Sequence, residues 1–259
     1  MLGATERIRV GIGAVPCDRR PASDVAREVA RAHLPLDRLV LVVGAGGSSS
    51  LAAVRAAVAE LRAELGPAVS LGVAAMGKRM CRLGGEIADL VLLNWMSPER
   101  IRWARRQIRR GSEHRLDGLR RPEPEVASYV RVSVGEGAVL RVGGEAARYN
   151  AMPQYARNFT AMGLASVGIA APDPTQAAGL LEPYLGVLDE TVLRPIVKMP
   201  PSSSPGFDEV FETLGVLMEV ASLLAPPPAS PQPASPQPAS PQPPSPDGST
   251  PAPASRPEV

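Results

Sequence analysis

An α/β fold built on a parallel sheet is what this sequence predicts, and three observations carry the expectation. Short apolar runs alternate with longer stretches whose apolar residues recur at helical spacing, and the pair repeats six times. The run Leu39-Val40-Leu41-Val42-Val43 is apolar without interruption, as a strand covered on both faces is. Glycine, proline and serine stand where strand must give way to helix. Strand–helix–strand repeats of this kind join parallel strands by right-handed crossovers.

The elements follow in order. Residues 8–15 read as a strand closed by Pro16, and residues 22–32 as a helix with Val25, Val29 and Ala32 on one face and Ser23 as N-cap. The 39–43 strand ends in Gly44-Ala45-Gly46-Gly47. Residues 50–64 form a helix with Leu51, Val54, Val58 and Leu61 in a stripe, stopped by Gly66-Pro67. Residues 69–75 are a strand, 78–88 a short helix and 91–94 a strand. Pro98 opens the next helix, where its missing N–H costs nothing. Residues 126–134 are a strand, helical pieces cover 145–185, and Glu190 to Ile196 is a last strand. A last helix runs from Asp208 to Leu224, capped near Ser204–Asp208 and stopped by Pro226. A doubly wound open sheet and a (β/α) barrel both fit this order.

From Ala225 onward the composition changes to Pro, Ala, Ser and Gln, with Ala-Ser-Pro-Gln-Pro repeated three times from Ala229. Proline has no N–H and a fixed φ, so 225–259 reads as a disordered tail and 1–224 as the folded domain. That length can bury a sizeable core. No 18-residue apolar run and no leader pattern is visible, so the cytoplasm is the expected location and no membrane is a partner. Cys17 and Cys81 stand far apart, which excludes a disulfide framework. Net charge is +2 and only Lys78 and Lys198 are lysine, an arginine bias that reflects base composition of the gene more than chemistry. The run Arg100, Arg102, Arg105, Arg106, Arg109, Arg110, Arg115, Arg120, Arg121 has one interleaved aromatic, Trp103; a solvated helix face explains it better than nucleic-acid binding.

Few residues carry chemistry on local grounds. His33 and His114 lack ligand-spaced partners, so no metal site is expected, and no Gly-x-Ser-x-Gly elbow exists. Gly44 to Ser49 reads as a tight βα turn or a phosphate-binding turn. The junction Ala75-Met76-Gly77-Lys78-Arg79 is the better anion candidate, because two cations stand at a helix start that already favours negative charge. Asp18, Arg19 and Arg20 follow the first strand as ligand contacts or as a solvated loop.

The run Gly77-Lys78-Arg79-Met80, then Gly84-Gly85-Glu86-Ile87-Ala88-Asp89-Leu90-Val91, resembles the hallmark of the luciferase-like flavin- or deazaflavin-dependent oxidoreductases, Gly-Pro-x-Met and Ala-Gly-Glu-x-Ala-Asp-Gly-Val. Lys78, Gly84 and Leu90 stand where that pattern has Pro, Ala and Gly. Residues 4–13 resemble the family's third strand, 39–46 its fourth and 188–194 its eighth, so the likeness spans about 4–224.

The resemblance implies an α/β fold of the TIM (β/α)8 type, incomplete here because the chain begins where the third strand–helix unit falls. It implies coenzyme F-420 or FMN across the C-terminal ends of the strands, the methylene-tetrahydromethanopterin reductase-like branch being the nearest. The implied contacts are Gly13 and Ala14, joined by a non-proline cis peptide, with Gly44, Gly46, Ala75, Met76, Gly77, Lys78 and Asn94. Arg194 is the implied contact to a small-molecule substrate. The family's first two units carry its catalytic polar residues, so no catalytic residue is assigned. The implied function is hydride transfer or monooxygenation of a small organic substrate, with a non-catalytic flavin-binding or partner protein as the alternative. A homodimer is compatible with the resemblance.

Overall fold

A computed structural model of the protein describes residues 5–116, 118–119, 121–197 and 207–225. Among the described residues, seven strands and eight α-helices follow one another, alternating except where α5 and α6 are consecutive: β1 (Val10–Pro16), α1 (Ala22–Arg31), β2 (Leu39–Gly44), α2 (Leu51–Leu65), β3 (Ser70–Ala74), α3 (Lys78–Ile87), β4 (Leu90–Asn94), α4 (Pro98–Ser112), β5 (Glu125–Val134), α5 (Ala138–Asn150), α6 (Pro153–Met162), β6 (Ile169–Ala171), α7 (Pro174–Leu185), β7 (Glu190–Pro195) and α8 (Phe207–Leu224). The tail beyond Ala225, Lys198, Arg120 and the expected cap at Ser204 lie outside the described residues.

Helix starts follow capping chemistry. Ser50 accepts from the Ala53 N–H at 3.1 Å, Ser97 from Arg100 at 3.2 Å and Asp173 from Gln176 at 2.8 Å. Each such cap stabilises its helix by about 1 kcal/mol. Ser23, expected from sequence to cap α1, does not: the N-cap is Pro21. The cap falls two residues earlier than expected, because Pro21, with φ of −53°, presets the turn and its carbonyl accepts from Asp24 and Val25.

All strand pairs are parallel, and β1-β2-β3-β4-β5 lie in chain order with β7 on the far side of β5. The sequence expectation missed β6, a three-residue strand too short to show a period. It forms because β5 runs ten residues against five in β4 and leaves an overhang. Backbone groups point to alternate edges along a strand. Glu125 and Gly135 bond to Asp89 and Ala171, while Val126 and Val132 accept from Asp189 and Ile196. β6 therefore continues the edge that β4 vacates, and β7 lines the opposite edge.

The sheet curls. Val40, Val42, Leu90, Leu92 and Ala127 fill its inner face with Ala74 and Tyr129, while the alternate residues Leu41, Val43, Leu71, Val73, Val91, Leu93, Val126 and Val130 bury against the outer helices. The inner space is full at β3: a Cβ on Gly72 would lie 2.9 Å from Val42 Cγ2. Arg9, just before β1, reaches across the lower mouth to Glu125 at 3.1 Å and Glu190 at 2.7 Å. Higher up, Tyr129 Oη donates to the Gly13 carbonyl at 3.3 Å. The strand ladder nonetheless stays open. Among the described residues β1 pairs with β2 alone and β7 with β5 alone. The architecture is an α/β barrel of the (β/α) type that is incomplete.

Candidate functional site

Parallel strands put all their C-terminal ends on one rim. The register there is Pro16 with Gly44, Val43 with Val73, Ala74 with Leu92, Asn94 with Tyr129 and Arg131 with Arg194. Every site residue expected from sequence lies on or beside this rim.

At the β1 end the Gly13–Ala14 peptide is cis. Gly13 has no room for a side chain, since a Cβ would meet Val42 Cβ at 2.7 Å. Gly44 is its neighbour on β2; a Cβ there would lie 3.1 Å from that of Ala14 and 3.7 Å from that of Ala74.

The two glycine junctions differ. The turn at 44–47 is filled by the protein itself: the Gly47 N–H donates to Asp18 Oδ2 at 2.8 Å, and Gly46, at φ +61°, has the same carboxylate where a Cβ would stand. Asp18 also pairs with Arg19 at 3.8 Å, and Arg20 with Glu28 at 3.0 Å. The junction at 75–78 is open. Gly77 is the N-cap of α3 without a side-chain bond, nothing lies within 4 Å of where its Cβ would be, and Gly77, Lys78 and Arg79 are exposed. The N–H groups of the first helical turn have no intrahelical acceptor, so they and the Lys78 ammonium face outward as anion donors.

Beyond Asn94 the rim becomes polar and buried. Trp95 (φ +53°) is 1% exposed, and its carbonyl accepts from Asn158 at 2.7 Å. Residues 127, 129 and 131 of β5 share the inner face, which carries Arg131 to the rim although it is only 2% exposed. Its Nη1 donates to Asn94 Oδ1, and its Nε lies 3.4 Å from Glu145 Oε1. The guanidinium sits 4.3 Å above the Trp95 ring and 5.1 Å from that of Tyr149. Arg194, on β7, donates to the same Glu145 carboxylate. Asn94 Nδ2 donates to Tyr155 Oη at 3.4 Å. Burial, then the Arg194 charge, lowers the Arg131 pKa; burial, then Tyr149, raises that of the Tyr155 phenol.

Arg131, Glu145 and Tyr155 were not singled out by the sequence reading. The available signal was an arginine within Ala127-Ser128-Tyr129-Val130-Arg131-Val132, in phase with the inward Ala127 and Tyr129. The dense arginine run is largely engaged: Arg100 lies 3.6 Å over the Trp103 ring, Arg102 pairs with Glu99, Arg105 with Asp189, Arg109 with Glu123 and Arg121 with Glu125. Among the described residues no cluster of His, Cys, Asp and Glu is arranged to hold a metal, and no helix is long and apolar enough to cross a membrane.

No protein-family profile and no curated protein sequence matches the chain. Solved structures share its fold. An F420-dependent secondary alcohol dehydrogenase in complex with an F420–acetone adduct superposes with a TM-score of 0.63 at 16% identity, over 87% of this chain and 82% of that one. A coenzyme F420-dependent tetrahydromethanopterin reductase from Methanopyrus kandleri does so with a TM-score of 0.57 at 16% identity, over 83% of each chain. The monooxygenase RslO1 from Streptomyces bottropensis gives 0.55 at 15% identity, over 84% of this chain and 78% of that one. At these identities the likeness is one of fold.

Proposed function

We propose that this protein is an oxidoreductase that holds a deazaflavin or flavin, coenzyme F-420 or FMN, along the C-terminal rim and acts on a small organic substrate. The observation that carries the reading is the open junction at Gly77-Lys78. It presents free helix-start donors and an exposed lysine at the C-terminal end of β3, in a fold shared with an F420-dependent secondary alcohol dehydrogenase and a coenzyme F420-dependent tetrahydromethanopterin reductase. The residues fit such a group. Gly13, Ala14 and Gly44 line the neighbouring rim without bulky side chains, and the donors at 77–80 suit a phosphate. Gly46 supports this rim indirectly, by letting Asp18 close the 44–47 turn.

When bound, the cofactor supplies hydride transfer, and FMN can also supply oxygen chemistry. The chain's part is binding and orientation. Lys78 and the α3 start hold the phosphate, Ala75 and Met76 set the angle at which the strand hands over to that helix, and Asn94, fixed by Arg131 and Tyr155, offers an amide at the rim. Arg194 faces the substrate side. No side chain is assigned a proton-transfer step.

Titration of the purified chain with F-420 and with FMN, followed by cofactor fluorescence, tests the reading. Saturable binding of one of them, followed by its reduction or reoxidation with substrate, is expected; a folded chain that binds neither sinks it. Binding without turnover would instead favour a non-catalytic cofactor-binding or partner protein, a reading supported by the outer edges of β1 and β7, which have no strand partner among the described residues.

A further inference from the structure

We propose that the rim between β5 and β7 is an oxyanion site, built from Arg194 with Arg131 behind it, and that the substrate taken there carries a carboxylate or phosphate group. This deepens the oxidoreductase reading and rests on it for the word substrate; the anion site itself stands on this chain's own side chains.

The argument begins with charge. Arg131, Arg148 and Arg194 share one carboxylate, Glu145, at 3.4 Å for Arg131 and 3.9 Å for Arg148. No other carboxylate pairs with any of the three among the described residues. Arg141, also on α5, does not draw on Glu145: it gives its N–H groups to neutral acceptors, Ser133 Oγ at 2.8 Å, Val134 O at 2.8 Å and Glu136 O at 2.6 Å. Three guanidinium groups therefore share a single counter-charge, and of the three only Arg131 is taken fully out of water. Taking a guanidinium out of water is costly unless a matching anion offsets it. A purely structural pair would match Arg131 with its own carboxylate; here the carboxylate is divided, and the excess charge awaits a ligand.

Geometry supports the same conclusion. Arg131 is held rigidly, between the Trp95 and Tyr149 rings and against Asn94, so its charge is fixed in place before anything binds. Arg194 is the reachable member, with 41% of its side chain exposed and only Nη1 bonded among the described contacts. Its remaining fork suits an oxyanion, which guanidinium groups bind through two parallel hydrogen bonds. The Trp95 indole N–H, buried in the same cluster, has no acceptor among the described residues.

Two probes test this on the full chain without cofactor: malonate and inorganic phosphate, each against chloride at equal ionic strength, by calorimetric titration and thermal shift. Saturable binding above chloride is expected for at least one. Preference for malonate assigns a carboxylate, preference for phosphate a phosphate group, and equal binding an unselective oxyanion site. Arg194→Gln should weaken binding about tenfold or more, Arg194→Lys less, and Arg110→Gln, on the exposed side of α4, not at all. Binding no better than chloride, or equal binding by Arg194→Gln, overturns the proposal. So does displacement of the anion by F-420 or FMN, which would make it the cofactor's own phosphate site. A chain that binds cofactor but no anion sinks this inference alone; one that binds anion but no cofactor sinks the functional reading alone.

Discussion

Gly85 on α3 lies directly against the Ile108 carbonyl on α4: a Cβ at Gly85 would stand 2.1 Å from that oxygen. The contact is reciprocal, since a Cβ on Gly111 would stand 1.9 Å from the Arg82 carbonyl oxygen. The two helices cross backbone to backbone, with Arg82 Nε donating to Gln107 at 3.3 Å and Ser112 Oγ to the Gly85 carbonyl at 3.3 Å. Gly85 of the 84–91 motif is thus a packing requirement that fixes where α3 sits, and with it the helix start at Gly77.

Gly85→Ala should accordingly destabilise the protein by about 3 kcal/mol, the upper range for overpacking, because the obstacle is main chain and cannot swing aside. Urea unfolding measures it. Gly143→Ala on α5, where a Cβ meets nothing within 4 Å, should be neutral or slightly stabilising. Equal midpoints for the two variants would show that α3 and α4 are not this close.

Asp89, in the same motif, has a second structural duty. Its Oδ2 accepts from the Leu71 N–H at 2.9 Å and pairs with Arg62 of α2, while the Asp89 carbonyl accepts from Glu125 at the start of β5. One residue thus ties β3, β5 and α2 at the lower end of the sheet, away from the rim. The Asp89 side chain is 5% exposed and that of Arg62 26%. Asp89→Ala should cost about 3 kcal/mol, and Arg62→Ala less, since water reaches the arginine. A double-mutant cycle by chemical denaturation reads the coupling; additive losses would mean the pair contributes nothing jointly.

Much of the fold was legible because parallel strands covered on both faces leave unbroken apolar runs such as 39–43, and because Ser50, Pro98 and Gly66 mark helix ends by local chemistry. The rim followed from the strand order. The polar cluster did not. Arg131 meets Glu145 fourteen positions away, Asn94 thirty-seven away and Trp95 just beyond the end of β4, and only the fold joins them. Asp18 filling the 44–47 turn was hidden for the same reason: a glycine turn in sequence cannot reveal that a carboxylate 29 residues earlier already occupies its N–H.

The two cysteines should separate cleanly in reactivity. Burial pushes the Cys81 thiol up to about 12, and Cys81 is 0% exposed. Only the thiolate attacks, so at pH 8 about one Cys81 in ten thousand is in the reactive form. Cys17 is also raised, by burial and then by the Asp18 charge, but it is half-buried. Iodoacetamide at pH 8 should label Cys17 first, with Cys81 labelled only after unfolding. Mass spectrometry of native and urea-treated samples decides it; prompt native labelling of Cys81 would contradict a closed α3–α4 core.

Gly77→Asp separates anion binding from folding at the α3 start. The residue has φ of −98° and ψ of 159°, an extended conformation that aspartate adopts without strain, and open space where the Cβ would go. Aspartate is a favourable N-cap whose carboxylate accepts from the first-turn N–H groups, so the melting temperature should hold or rise slightly. The same carboxylate occupies those donors and repels a phosphate beside Lys78, so affinity for F-420 or FMN should fall about tenfold or more. Lys78→Ala should weaken binding in the same direction while leaving the helix start intact. Unchanged cofactor affinity in a stably folded Gly77→Asp protein would place the phosphate elsewhere on the rim. A fall in both stability and affinity would mean that the backbone at 77 is not free to accept a side chain.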